Sequence, residues 1–339
     1  MITRLFFVAG LLSLTATVAS ATPIAFDYRP LSTSVDSPAN HVVPAGGAFD
    51  GVGRLLVTTT SSQTFLCFSA LLSSGRHLLT AAHCVTDNAG LFDTASATVD
   101  FYGDSGTYTL NIGAVFLDPG WASSGGNVFS GTDIAVLELV NAAPIEVSRY
   151  GLYSSFDEVG QTFTKVGYGR EGTGLTGFGA GSAGTKRSGQ NEYDTAGTPF
   201  FGGISSNVLL YDFDNGNPAN DAWGLLGIPD LGLGINEVLA APGDSGGPNF
   251  IAGQIAAVTS FGFRYTYSCM TGTCSPDIDV ALNGTFGEVG GDTRVSAYAE
   301  SINALIGAPA PSALALMLIA LPLLAWRRRR HARANLTPS

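Results

Sequence analysis

The run Gly243-Asp244-Ser245-Gly246-Gly247-Pro248 sets one serine in a segment that only a sharply bent backbone can accommodate. Glycines on both sides of Ser245 permit backbone angles that other residues avoid, and let backbone N–H groups converge on a bound oxygen. A serine hydroxyl is a weak nucleophile at its own pKa. It needs a base beside it and donors for the charge that grows on an attacked carbonyl. A chain built around such a loop must bring distant segments against it and hold them there. The composition says what kind of scaffold does so: 44 glycines and a charged fraction of 13% suit an all-β, loop-rich protein better than a helical one. With 339 residues there is room for one large domain or two small ones.

Two upstream stretches give the serine its partners. They are Thr80-Ala81-Ala82-His83-Cys84 and Asp133-Ile134-Ala135-Val136-Leu137. In the chain order His, Asp, Ser, the three motifs together resemble those of the trypsin-like, chymotrypsin-fold serine proteases, over roughly residues 51–305. The resemblance implies an all-β fold of two antiparallel six-stranded Greek-key barrels, about 51–145 and 146–305, with a C-terminal helix and a site in the cleft between the barrels. It implies Ser245 as nucleophile, His83 as general base and acid, and Asp133 as the group that orients the imidazole. The N–H groups of Gly243 and Ser245 would form the oxyanion hole, with no metal or organic cofactor required. Asp93 and Asp100 are the nearest rivals of Asp133, but neither opens an apolar strand. His41, His77 and His331 lack such a motif and are read as structural or exposed.

Strand-forming runs fit this scaffold. Leu55–Thr60, Thr64–Phe68 and the hairpin Ala70–Thr80 lead to His83, and Ala97–Leu117 holds two alternating runs. Gln161–Gly169 resembles the opening strand of the second barrel, with Tyr168 where the family has tryptophan. Thr293–Leu305 has near-helical apolar spacing and matches the closing helix. The even count of four cysteines fits an oxidising compartment. Cys67 and Cys84 bracket the hairpin where the family has a disulfide, and Cys269 and Cys274 bound a tight loop and are expected to pair.

The resemblance also locates the substrate-binding edge and pocket. Ser260-Phe261-Gly262 matches the edge that pairs with substrate backbone. Leu239 falls at the pocket floor, where an aspartate would favour Arg or Lys, so an apolar P1 side chain is expected. The family's cysteine four residues before the nucleophile is replaced by Ala241. In the family a newly released N-terminus pairs with the residue corresponding to Asp244. No Ile-Val-Gly-Gly start is present; Val42-Val43 and Val52-Gly53 are candidates, and the alternative is that another group holds Asp244. Asp212–Asn217 carries closely spaced oxygen ligands and is read as a solvated turn, with Ca²⁺ ligation the alternative.

The ends differ from the middle. Met1–Ala21 has the charged start, apolar run and Ala-Ser-Ala site of an export signal. Residues 22–50 read as a pro-segment or irregular arm. Residues 306–339 form a tail: Pro-Ala-Pro, an apolar run over 313–326, then four consecutive arginines at 327–330. That order resembles the PEP-CTERM sorting signals of Gram-negative bacteria, read by an exosortase, and a plain membrane anchor is the alternative. The net charge is −11, and the acidic excess lies entirely before residue 306, since the tail carries five arginines and no acid. An acidic body argues against a nucleic-acid partner and identifies no substrate; the resemblance implies a protein or peptide substrate. The expected activity is that of an exported endopeptidase of the cell envelope or medium. The rivals are a catalytically silent binding protein on the same fold and an esterase using the same three residues.

Overall fold

Six short strands of alternating apolar and polar residues build the first half of the domain. In the computed structural model, which describes residues 31–307 apart from 180–182, 198–202, 265, 271 and 280, they are β1 (Val52–Thr58), β2 (Thr64–Leu71), β3 (His77–Thr80), β4 (Ser96–Gly103), β5 (Gly106–Leu117) and β6 (Ala135–Leu139). The expected export signal, residues 22–30 and the tail from 308 lie outside the described residues. These strands close into a barrel in the order β1-β2-β3-β6-β5-β4, every pair antiparallel. The period-2 alternation turns Leu55, Val57, Val99 and Phe101 inward. The Cys67–Cys84 disulfide forms as expected, fastening β2 to the turn that follows β3.

The second half comprises β7 (Thr162–Gly167), β8 (Arg187–Glu192), β9 (Thr195–Ala196), β10 (Val208–Asp212), β11 (Pro248–Ile251), β12 (Gln254–Arg264) and β13 (Glu288–Arg294). Here the expectation of a second closed six-stranded barrel is corrected. These strands form a seven-stranded curled sheet, order β8-β7-β11-β12-β13-β10-β9. Its two edges, β8 and β9, are one stretch of chain parted at Tyr193 and Asp194. Tyr193 turns into the core there, stacking on Phe163 at 4.0 Å and donating its hydroxyl to Asp292. The ladder breaks at that point. The Asn191 amide then spans the gap to the Asp212 carbonyl, and the Asp194 N–H donates to the Leu210 carbonyl.

The halves meet along a hydrogen-bonded seam. Tyr168 stacks on Phe68 with ring centroids 5.0 Å apart and donates its hydroxyl to the Val52 carbonyl at 3.1 Å. The C-terminal helix is shorter than the spacing predicted, α1 (Ala299–Leu305), because Thr293 and Arg294 end β13. It reaches back to the first barrel, where the Tyr298 hydroxyl donates to the Gly131 carbonyl. No helix among the described residues is long and apolar enough to cross a membrane. The arm is more ordered than its sequence predicted: Leu31–Ser34 is a strand, antiparallel to Val238–Ala241 and parallel to Glu171–Thr173.

Candidate active site

Three separate elements deliver the residues singled out by the sequence. His83 sits in the single turn Ala82–Cys84 after β3, Asp133 in the loop before β6, and Ser245 in the loop between Val238–Ala241 and β11. Asp133 is fully buried. Its Oδ2 accepts the Nδ1–H of His83 at 2.6 Å and its Oδ1 accepts the His83 backbone N–H at 2.9 Å. An ionised carboxylate can only accept, so Nδ1 carries a proton and Nε2 is the ring nitrogen left for other partners. Burial pushes the Asp133 pKa up, but the charge interaction with His83 and the hydrogen bonds from the His83 ring, Ser260 and the His83 backbone outweigh it and hold the carboxyl below its ordinary value.

Ser260 carries a side-chain contact that sequence reasoning did not foresee. It reads as part of a substrate-pairing edge, yet its hydroxyl donates to Asp133 Oδ2 at 2.5 Å and its side chain is buried. The cause is a bulge: Thr259 pairs with Asp292 and Phe261 with Gly291, which leaves Ser260 as the unpaired residue of β12. A bulge re-aims a side chain, here toward the carboxylate.

The nucleophile loop is fixed from both sides. The Ser245 carbonyl accepts the Phe68 N–H of β2 at 2.8 Å. Gly246 has φ +78°, and a Cβ there would collide with the Thr80 hydroxyl and the Phe68 carbonyl. The loop can therefore lie against the first barrel only because this residue is glycine. Asp244 accepts the N–H groups of Gly169 and Ala241, each at 2.8 Å. Asp244, Gly246 and Gly247 donate their own N–H groups to the carbonyls of Ala241, Thr259 and Asp244. Those of Gly243 and Ser245 meet no acceptor among the described residues. His83, Ser245 and Gly243 line one cleft of about 670 Å³, together with Phe65, Trp121 and Arg170.

The remaining expected site residues are placed as follows. Leu239 is buried in an aromatic cluster with Tyr193, Tyr211 and Phe286. Phe261 is buried, edge-on to Phe129 at 5.0 Å, and Gly262 lies half-buried opposite Gly290. Asp93 is bound by Thr60, and Asp100 by Arg54 and Thr109, so neither competes for the imidazole. His41 pairs with Asp36, and His77 bonds the Ser74 hydroxyl. Cys274 is disulfide-bonded, while the side chain of Cys269 lies outside the described residues.

Two groups of side chains have the spacing of metal ligands. Cys67, His83 and Cys84 form one, but both of its sulfurs are tied in the disulfide. Asp212, Asp214 and Asp221 form the other. All three are buried, which corrects the reading of Asp212–Asn217 as a solvated turn for its first half: Asp212 and Asp214 are buried, while Asn215, Gly216 and Asn217 are exposed.

The Trypsin family model matches residues 47–190, the stretch that contains His83 and Asp133. The chain carries a trypsin-like serine protease domain. With that domain comes a serine-type endopeptidase. A solved structure of HL collagenase is similar in fold, with a TM-score of 0.50 at 17% sequence identity, covering 80% of this chain and 99% of that one. No curated protein matches the chain.

Proposed function

We propose that the chain is an exported endopeptidase that cleaves peptide bonds through an acyl-enzyme formed on Ser245. The observation that carries this reading is the buried His83–Asp133–Ser260 network opening onto the same cleft as Ser245. His83 Nε2 takes the Ser245 proton as the hydroxyl attacks the scissile carbonyl, then passes it to the leaving amine. Asp133 holds the ring in the required tautomer and stabilises the imidazolium that forms, and Ser260 holds Asp133. The charge on the carbonyl oxygen falls to the Gly243 and Ser245 N–H groups. Removing one such donor typically costs about 3 kcal/mol of the barrier. Water then repeats the cycle on the ester.

The Gly169 and Ala241 N–H groups on Asp244 support a second element of the reading, that the oxyanion loop forms without a newly released N-terminal ammonium. Leucine rather than aspartate at position 239 is the ground for an apolar P1 side chain, since a buried cation there would lack a partner; a peptide-library profile dominated by Arg or Lys would overturn that preference. The leader at 1–21 directs export. The tail at 306–339 is held in the membrane through residues 313–326 and handed to an exosortase-like enzyme.

The test is fluorophosphonate labelling of the purified chain, with mass spectrometry of its two ends. Labelling that disappears in Ser245→Ala, on protein cut after Ala21 but still carrying residues 31–34, is the expected result. Unlabelled wild-type protein would sink the catalytic reading. Turnover of esters with no turnover of peptides would move it to an esterase.

A further inference from the structure

Away from the cleft, the connection between β10 and Val238–Ala241 gathers acidic groups that the protease chemistry leaves unused. Asp212, Asp214 and Asp221 each present a carboxylate oxygen within 4.8 Å of the other two. All three residues are almost fully buried, Asp214 at 2% exposure. Two of the carboxylates are partly satisfied. Asp212 Oδ2 accepts the N–H groups of Ala222 and Trp223, and Asp221 accepts that of Gly224. Asp214 is different: its Oδ1 is buried with no hydrogen-bond donor at all. Glu237, 1% exposed, stands beside it and accepts the Asp214 N–H at 2.6 Å.

A buried carboxylate without a counter-charge either takes up a proton or recruits a cation. Among the described residues no lysine or arginine forms an ion pair with Asp212, Asp214 or Asp221. The missing partner is therefore a positive charge with an appetite for oxygen.

We propose that Asp212, Asp214 and Asp221 bind one Ca²⁺ ion. The donor set is all carboxylate, with no imidazole or thiolate, which excludes the usual zinc chemistry. Calcium–oxygen bonds run about 2.4 Å, so three oxygens gathered this closely can share one ion. The ligands come from an irregular connection rather than from a rigid octahedral cage, and calcium accepts such shells where magnesium does not. Gly224 and Gly232 let the backbone close on the cluster, since a Cβ at either would collide with the Asp221 or Glu237 carboxylate.

The position gives the ion a task. The Asn191 amide donates both to the Asp212 carbonyl, at 2.7 Å, and to the Val238 carbonyl, at 3.1 Å. Val238 opens the strand that runs into Gly243-Asp244-Ser245. Calcium thus fastens the connection that carries Leu239 and the nucleophile loop, and its removal loosens both.

The experiment uses the full chain carrying Ser245→Ala, so that self-cleavage cannot confuse the readout. The protein is stripped with EDTA and titrated with CaCl₂ by calorimetry. Terbium emission excited through Trp223, whose backbone N–H donates to Asp212, gives a second signal. One Ca²⁺ per chain and a higher melting temperature in about 1 mM Ca²⁺ are expected. Asp214→Asn and Asp221→Asn should each weaken binding by about 10- to 100-fold. In EDTA, Asp214→Asn should melt no lower than the parent, because it removes an unpaired charge. Absence of heat, emission and melting shift up to about 10 mM Ca²⁺ in the parent protein would overturn the proposal. So would Asn variants that bind as tightly as the parent, or Mg²⁺ binding more tightly than Ca²⁺. None of these readouts depends on turnover, so the calcium site and the peptidase reading can fail separately.

Discussion

Gly246→Ala isolates the contact between the nucleophile loop and the first barrel. Two costs add. A non-glycine residue at φ +78° carries about 1–2 kcal/mol of backbone strain. The new Cβ would also lie well inside 3.0 Å of the Thr80 hydroxyl and the Phe68 carbonyl, and the carbonyl cannot swing aside as a side-chain tip would. The loop must retreat by roughly half an ångström or more, which stretches the 2.8 Å bond from Phe68 N–H to the Ser245 carbonyl. Losing that bond adds about 1 kcal/mol. The variant should be destabilised by about 2–3 kcal/mol in urea unfolding. Its kcat/KM should fall by about 100-fold, since a displacement on this scale removes that much from a positioned nucleophile. Gly253→Ala supplies the control. Gly253 has φ +77° but open space around its missing Cβ, so that variant should show only the backbone cost and full activity. Fluorophosphonate labelling rates and urea midpoints of the two variants decide the matter. If Gly246→Ala labels at the wild-type rate and unfolds like Gly253→Ala, the seam does not position Ser245 and the reasoning is wrong.

Ser260→Ala removes a charge-assisted hydrogen bond from Asp133 but leaves both His83 contacts, so kcat should drop about tenfold with KM unchanged, roughly half of what such a bond is worth; steady-state kinetics will show it, and an unchanged kcat would reduce Ser260 to a packing residue. The pH dependence of stability should carry two opposite signs. The depressed pKa of Asp133 means its stabilising contribution is complete above the unfolded carboxylate value near 4 and is lost as pH falls through its lower folded value. Glu237 and Glu288, raised to about 7 chiefly by burial, act the other way: in EDTA they should lower stability progressively as pH rises from about 4 to above 7. Differential scanning calorimetry across that window should find a falling melting temperature, and a rising one would contradict the assignment.

The candidate site was legible because each of its residues carries its own local signature. His83 stands beside a cysteine that ties it down, Asp133 precedes an apolar strand, and Ser245 is framed by glycines. What was not legible depends on pairing across the sheet. Ser260 reaches Asp133 only because β12 slips by one residue against β13, and nothing in Ser-Phe-Gly announces a slip. The break at Tyr193 follows from an aromatic ring choosing the core over the ladder, which depends on Phe163 and Asp292 from other strands. The acidic cluster looked like a wet turn because Asn215–Asn217 are exposed, and because Asp221, its third carboxylate, and Glu237, which accepts the Asp214 N–H, lie outside Asp212–Asn217.

The strand at Leu31–Ser34 bears on how this protein can be produced and trimmed. It occupies one flank of Val238–Ala241, the segment that delivers the nucleophile, so a polypeptide begun at residue 51 would leave that flank's amides and carbonyls bare against water. The sequence-drawn border between arm and domain is therefore a poor place to cut. Nature's own scissors, if they act on this leader, must stop short of Leu31 for Ser245 to keep its footing.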